Sequence, residues 1–273
     1  MAEVSKLPDG FFERYGPRAL ILGGSEGIGA SFAEQLAAGG FGLTLVARSD
    51  KALESTAARL RSRFAVDVDC QALDLTQPGI EQTARQLVNA RDYGLVIYNA
   101  GATHGVGLLV DQPVEQALNL VRLNCLGTVA FAHAALSAMR TRNRGGLLMM
   151  SSMSALTGSG FVAAYAASKS FEIILAEGLH WEMQREGIDV LCAVASLTDT
   201  PAMRRSGMLL DAVPEFVPME PETVASGALR NLGKTPVWFA VGETVVRSME
   251  QNARADRIHQ ASTIAARLWG VDG

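Results

Sequence analysis

Short apolar runs alternate with longer stretches of helical periodicity from one end of the chain to the other, and this rhythm restricts the fold more than any other feature. Residues 18–22, 43–46, 66–72, 95–98, 147–150, 188–192 and 237–240 read as seven strands. Between them, 28–38, 51–63, 78–90, 114–139 and 161–185 read as helices, and an amphipathic helix over 243–269 closes the chain. Val66, Val68, Cys70 and Ala72 alternate with polar neighbours, which places the third strand near a sheet edge. Pro78 is expected in the first turn of its helix, and Gly145-Gly146 as a turn before a strand. Strands separated by helices cannot pair as hairpins; they pair in parallel through right-handed crossovers that cover both faces of one sheet. The expected class is α/β: one doubly wound domain over residues 1–273, its seven-stranded parallel sheet flanked by helices on both faces. No low-complexity linker or internal repeat divides it.

Between the first strand and the first helix lies Gly23-Gly24-Ser25-Glu26-Gly27-Ile28-Gly29. Gly23 suits the tight turn out of the strand, and Gly27 lets backbone approach a pyrophosphate. Gly29 lets the helix pack close to the sheet, and the unpaired N–H groups of the helix N-terminus face the anion. Placement between strand and helix makes this a Rossmann-type dinucleotide turn, although its spacing is G-x-x-x-G-x-G instead of the commoner G-x-G-x-x-G.

Tyr165-Ala166-Ala167-Ser168-Lys169 puts a tyrosine and a lysine on one helix face, four residues apart. Such a pair alone is common surface decoration. Here it follows a strand ending in Ser151-Ser152, with Ser152 thirteen residues before Tyr165. Hydride transfer to a carbonyl creates an alkoxide that must be protonated as it forms, and a tyrosine hydroxyl can supply that proton. At about 4 Å and an effective dielectric near 20, a neighbouring ammonium stabilises tyrosinate by up to about 4 kcal/mol, so the same residue can act as base in the reverse direction.

With these motifs in this order, the chain resembles the short-chain dehydrogenase/reductase family from Gly23 to Thr200. The resemblance implies Tyr165, Lys169, Ser152 and Asn124 as catalytic residues. Lys169 would also hold the nicotinamide ribose, and Asn124, within Leu123-Asn124-Cys125-Leu126-Gly127, would hold a water that links the lysine to solvent. Ser152 would hydrogen-bond the substrate oxygen, with Ser151 and Ser154 as rivals for that role. The implied cofactor contacts are Gly23, Ser25, Glu26, Gly27, Ile28, Gly29, Arg48, Ser49, Asp74, Leu75, Asn99, Ala100, Gly101, Tyr165, Lys169, Thr198 and Thr200. Asp74 reads equally as an adenine contact or as a helix cap before Pro78. Tyr98 replaces the first asparagine of the family's Asn-Asn-Ala-Gly stretch, and Ala195-Ser196 replaces its Pro-Gly after the sixth strand.

About 20 residues beyond the glycine turn, the end of the second strand sets the choice between NAD and NADP. NAD-type members carry aspartate where this chain has Ala47, and Arg48 offers a fork for a 2′-phosphate. Glu26 argues the other way, because NADP-type relatives often place a basic residue there. NADP(H) is favoured over NAD(H).

Segment 201–221 should cover the substrate as a lid, with Met203, Met208, Leu209, Leu210, Val213, Phe216, Val217 and Met219 making it apolar; packing on the body of the domain is the competing reading. Arg204 and Arg205 are candidates for an acidic substrate tail. Tyr15-Gly16-Pro17-Arg18-Ala19-Leu20 and the stretch 47–54 resemble the branch that includes hydroxysteroid dehydrogenases and 3-oxoacyl reductases, which implies an apolar ketone or secondary alcohol.

Composition excludes other classes. A net charge of -4 without a basic stripe gives no nucleic-acid surface, and the clusters at 59–63 and 140–144 fall at helix ends. No apolar run approaches the roughly 18 residues that span a bilayer, and the first residues lack a signal-peptide layout. Cys70, Cys125 and Cys192 read as reduced core residues, and His104, His133, His180 and His259 have no ligand-like spacing, so neither disulfide nor metal is expected. The expected location is cytoplasmic. The long helices carrying Asn124 and Tyr165 resemble those that pair in family dimers and tetramers, which implies a homodimer or homotetramer. Two further readings stay open: an NAD-dependent alcohol dehydrogenase of the same family, and a non-catalytic NADP(H)-binding regulator, which would be expected to lack the tyrosine or lysine. An epimerase of the related longer family has scant room for its substrate domain after Leu197.

Overall fold

In the computed structural model, residues 4–102, 106–214 and 217–271 are described; the expectations for His104 and Phe216, and for the side chain of Leu210, lie outside what is described. The chain runs α1 (Phe11–Tyr15), β1 (Arg18–Leu22), α2 (Gly27–Ala38), β2 (Gly42–Ala47), α3 (Asp50–Phe64), β3 (Val68–Ala72), α4 (Ile80–Asn89) and β4 (Leu95–Tyr98). It continues through α5 (Val114–Val121), a π-helical segment (Arg122–Gly127), α6 (Thr128–Arg140), β5 (Gly145–Ser152), α7 (Ala163–Met183) and β6 (Ile188–Ala195). The last elements are α8 (Pro201–Arg205), α9 (Pro221–Asn231), β7 (Val237–Phe239), α10 (Glu243–Glu250) and α11 (Arg254–Trp269).

All seven strands pair in parallel in the order β3-β2-β1-β4-β5-β6-β7. The order reverses between β1 and β4, so the crevice beyond their carboxyl ends is where a doubly wound sheet binds ligand. Alternation along each strand divides the core. Ile21, Leu45, Ile97, Leu148 and Leu191 pack on one face beneath α2, α3 and α9, and Leu22, Val46, Val96, Leu147, Met149 and Val190 on the other beneath α4, α6 and α7. The strands of this sheet read as apolar runs because both faces are covered. β3 is an edge strand, as its alternation implies.

Four expectations change. Pro78 is not in a helical turn: Gly79, at φ 77°, precedes α4, and the helix begins at Ile80. Gly145 and Gly146 belong to β5, where a Cβ on Gly145 would meet the Met139 side chain and one on Gly146 the Tyr15 ring. The closing helix is two helices, because the ladder breaks between Glu250 and Arg254. The helix over 114–139 forms but widens at Arg122–Gly127. That 27-residue stretch is apolar enough by length and composition to cross a membrane, with mean hydropathy 1.3, yet 56 % of its most apolar window is buried inside the domain. Helices α1, α8 and α9 do not follow from the sequence pattern; the first and second are five residues long, too short to show a period.

Candidate active site

The glycine turn is built as its spacing implies. Gly23 takes φ 81°, and a Cβ there would sit 2.8 Å from the Ala100 amide nitrogen; a Cβ on Gly29 would overlap the Gly23 carbonyl. Gly27, at φ 55°, faces the Thr200 side chain. Asn99 locks the two switch-point strands together: its Nδ2 donates to the Gly23 carbonyl at 2.9 Å. No side chain caps the N-terminus of α2, so its first N–H groups remain free to meet a pyrophosphate. The cradle fits a dinucleotide on its own geometry, because each close approach is made by residues without a side chain.

Other residues of the cofactor set divide by what already holds them. Arg48 is exposed at the carboxyl end of β2, and Ala47 leaves that end without a carboxylate. The Ser49 hydroxyl caps α3 by accepting from the Ala52 amide, and the Thr200 hydroxyl caps α8 by accepting from that of Met203. Asp74 accepts from the Thr76 amide and hydroxyl at 2.9 and 2.8 Å, which with Arg48 nearby holds its carboxyl below the ordinary range. It closes a turn, with lone pairs to spare for an adenine amine. Leu75 is buried in the core. The Thr198 hydroxyl is buried and donates to the Ser196 carbonyl, where a bridge pairs Thr198 with Met219. The Thr56 hydroxyl donates to the Ser25 carbonyl, fixing the floor of the turn. Glu26 is engaged by Arg205, whose guanidinium donates to Glu26 Oε2 at 3.0 Å across the mouth of the crevice. Arg204 pairs with Asp199.

β5, α7 and the π-helical segment carry the four residues that the resemblance implies as catalytic, Ser152, Tyr165, Lys169 and Asn124. Tyr165 sits in the first turn of α7, half-buried, beside a cleft lined by Leu109, Leu120, Phe161 and Val162. Phe161 holds φ 63°, a conformation rare for a bulky side chain, and its carbonyl accepts from the Gly107 amide at 2.9 Å. Ser152 ends β5 with its oxygen accepting from the Ser154 amide at 3.3 Å, which leaves its proton free to be donated. Ser151 is excluded from that role: it is buried and donates to the Lys169 carbonyl at 2.7 Å, tying α7 to the strand. Asn124 is fully buried; its Nδ2 donates to Ser168 Oγ at 2.9 Å, and Ser168 donates in turn to the Tyr165 carbonyl at 2.8 Å. Its Oδ1 has no hydrogen-bond partner among the described residues. A Cβ on Gly101 would lie 3.0 Å from Lys169 Nζ and 3.7 Å from Asn124 Oδ1, so the glycine keeps open a gap that a bridging water suits.

Lys169 does not stand alone. It is 5 % exposed, and Nζ donates to the Met150 carbonyl at 2.9 Å and to both carboxylate oxygens of Glu172 at 3.0 Å. Glu172 is wholly buried. Burial pushes its carboxyl up to about 7 against the pull of Lys169; burial would lower Lys169, but Glu172 and Tyr165 outweigh it and raise the ammonium. Sequence reasoning misses Glu172 because its neighbours Phe171, Ile173 and Ile174 make one apolar run, in which a single acidic residue reads as the solvated stripe of an amphipathic helix. The readable signal is its place three residues after Lys169, on the same face. Helix α11 reaches both the loop before α7 and the segment after α8: Ser262 Oγ accepts from the Gly160 amide at 2.7 Å, and the Leu268 carbonyl from that of Leu209. Among the described residues no group of histidine, cysteine and carboxylate side chains has metal-ligand proximity, and all three cysteines are free.

Comparison with known proteins agrees with this geometry. The family described as short chain dehydrogenase matches residues 17–208. A 7beta-hydroxysteroid dehydrogenase of Collinsella aerofaciens is 29 % identical over 81 % of this chain and 85 % of its own. A very-long-chain 3-oxoacyl-CoA reductase of Podospora anserina is 29 % identical over 76 % of this chain, which spans only 62 % of that protein. Among solved structures, a short-chain dehydrogenase from Sphingobium yanoikuyae in complex with NADPH superposes with TM-score 0.77 at 28 % identity, covering 86 % of this chain and 94 % of that one. The chain belongs to the short chain dehydrogenase family, and its chemistry is nicotinamide-dependent hydride transfer at a carbonyl or alcohol carbon.

Proposed function

We propose that the chain is an NADP(H)-dependent reductase of apolar ketones, run in reverse on secondary alcohols, with Tyr165, Lys169, Ser152 and Asn124 as its catalytic residues. The observation that carries this reading is the half-buried Tyr165 lining a cleft with Leu109, Leu120, Phe161, Gln112 and Gln116, with the buried Lys169 one helical turn behind it. The bound nicotinamide supplies or accepts the hydride. Ser152 donates a hydrogen bond to the substrate oxygen and steadies its growing charge. Tyr165 gives its hydroxyl proton to that oxygen, breaking its own O–H bond as the alcohol O–H forms. Asn124 Oδ1 accepts from a water that returns a proton towards Lys169 and Tyr165.

Two features support NADP(H). Arg48 stands where a 2′-phosphate falls, with no carboxylate on Ala47 to repel it, and the negative charge of Glu26 is met by Arg205. The NADPH complex of the Sphingobium relative points the same way. Apolar substrates accord with Leu109, Leu120 and Phe161 along the cleft and with the steroid and long-chain acyl substrates in the relatives' names.

Residues 201–221 act as the substrate lid of a single 1–273 domain. Of its apolar residues, Val213 is buried and anchors the lid, Met203, Met208 and Met219 are half-buried, and Leu209 and Val217 are exposed. Self-association, as dimer or tetramer, is supported by Leu118, Val121, Leu126 and Val129 along the α5–α6 face and by Ile174 and Trp181 on α7, all exposed. Unpaired cysteines accord with a cytoplasmic location.

The experiment is oxidation of NADPH and NADH, followed by loss of nicotinamide absorbance, against a panel of apolar ketones, steroids and 3-oxoacyl thioesters. Turnover with NADPH on any of them is expected. Tight NADPH binding without turnover on the whole panel would favour a regulator; faster turnover with NADH would overturn the cofactor assignment.

A further inference from the structure

The most unusual group in the molecule is Glu172. A wholly buried carboxylate is costly unless something answers its charge, and among the described residues Lys169 is the cation that does so. The other titratable groups that face the pair are Tyr165 on α7, Cys125 on the π-helical segment, Cys192 on β6 and Tyr98 on β4, while Glu177 lies farther along α7. Burial holds the thiols and the Tyr98 hydroxyl in their neutral forms. The pair is therefore a closed electrostatic unit.

That unit alters what Lys169 can do. An ammonium has three N–H bonds, and Met150 O, Glu172 Oε1 and Glu172 Oε2 together can engage all of them at 2.9–3.0 Å. The lysine is tied to β5 through the Met150 carbonyl and to its own helix through Glu172. Its charge is also balanced at short range, so a tyrosinate at Tyr165 meets an attraction from Nζ offset by a repulsion from the Glu172 carboxylate. A lone lysine would favour loss of the tyrosine proton; a lysine paired in this way favours its retention.

We propose that Glu172 is a positioning residue that acts through Lys169, fixing the ammonium and balancing its charge so that Tyr165 keeps its proton and the site is biased towards carbonyl reduction. This rests on Tyr165 being the proton donor of the reaction proposed above. Reduction needs Tyr165 as O–H at the start of each turnover, whereas alcohol oxidation needs it as O⁻.

The test is a spectrophotometric tyrosinate titration of the whole protein, without substrate or cofactor. Burial raises the other three tyrosines, Tyr15, Tyr93 and Tyr98, and the step that belongs to Tyr165 is identified as the one missing in Tyr165→Phe. In Glu172→Gln, which keeps the shape and removes the charge, the Tyr165 step should move to lower pH by about one unit or more, a tenfold change in the equilibrium. Glu172→Leu, of similar size and without a polar head, should shift it in the same direction and serves if the glutamine variant does not fold. Circular dichroism accompanies each variant. An unmoved step in a folded variant, or a step moved to higher pH, overturns the proposal; a merely structural Glu172 would alter melting and leave the step in place. An absence of turnover on every ketone, with the step shifted as expected, would overturn the reductase reading and leave the coupling of Glu172 to Tyr165 standing.

Discussion

The Tyr98 hydroxyl donates to the Leu123 carbonyl across 2.6 Å, from the end of a central strand into the helix that carries Asn124. In a regular α-helix that carbonyl would accept from the amide of residue 127. Here the ladder widens over Arg122–Gly127, and a Cβ on Gly127 would fall within 2.2 Å of the Tyr98 hydroxyl. The tyrosine is thus seated in the gap of a π-bulge, and the bulge turns Asn124 inward.

Tyr98→Phe should deprive the Leu123 carbonyl of the Tyr98 donor and cost about 1 kcal/mol of stability, read from urea unfolding. Because Asn124 is placed by the same bulge, turnover should fall several-fold while NADPH affinity stays near that of the wild type. Unchanged turnover would separate Tyr98 from the site.

Tyr165→Phe removes one oxygen from the cleft and no contact from the core. Turnover should drop below detection, and NADPH binding, followed by quenching of protein fluorescence, should stay within a few-fold of the wild type. Wild-type turnover in this variant would remove Tyr165 from the chemistry altogether.

Arg48 and Arg205 are predicted to act on cofactor binding by different routes. Arg48→Ala should weaken NADPH about tenfold or more and NADH little, since only NADPH carries the phosphate. Arg205→Ala leaves Glu26 unanswered beside the pyrophosphate turn and should weaken both cofactors. Glu26→Gln in the same chain should restore them, because the carboxylate that repels is then gone. A double variant no better than Arg205→Ala would mean that Arg205 itself touches the cofactor.

The elements and motifs that are local in the chain are legible in its sequence. A glycine turn, a strand ending in serine and a Tyr-x-x-x-Lys spacing each occupy a few consecutive residues, and periodicity orders the strands between them. What escapes depends on contacts between distant segments. Nothing near Tyr98 announces that its hydroxyl meets Leu123, 25 residues on. Asp74, Ser49 and Thr200 suit the cofactor by residue type, whereas their partners in the fold are turns and caps set by the path of the backbone. The break between α10 and α11 falls at Gln251-Asn252-Ala253, a stretch with neither glycine nor proline to mark it.

Glu172 makes a last prediction about stability. Its carboxyl lies near 4.5 in an unfolded chain and is pushed up to about 7 in the folded protein by burial. Between those values the unfolded state loses the Glu172 proton and the folded state keeps it, so this group's contribution is complete below the unfolded value and is lost as pH rises through the folded one. Glu172→Gln has no proton to lose. The stability of the wild type relative to Glu172→Gln should therefore decline from about pH 4.5 to about pH 7, by up to roughly 3 kcal/mol, and level off above. Parallel unfolding curves at pH 5, 6, 7 and 8 measure the difference directly. A difference that is flat across this range would mean that Glu172 is ionised throughout, held as a full carboxylate by Lys169 even in mild acid; a difference that grows in the wild type's favour would mean that the ion pair outweighs the cost of its burial.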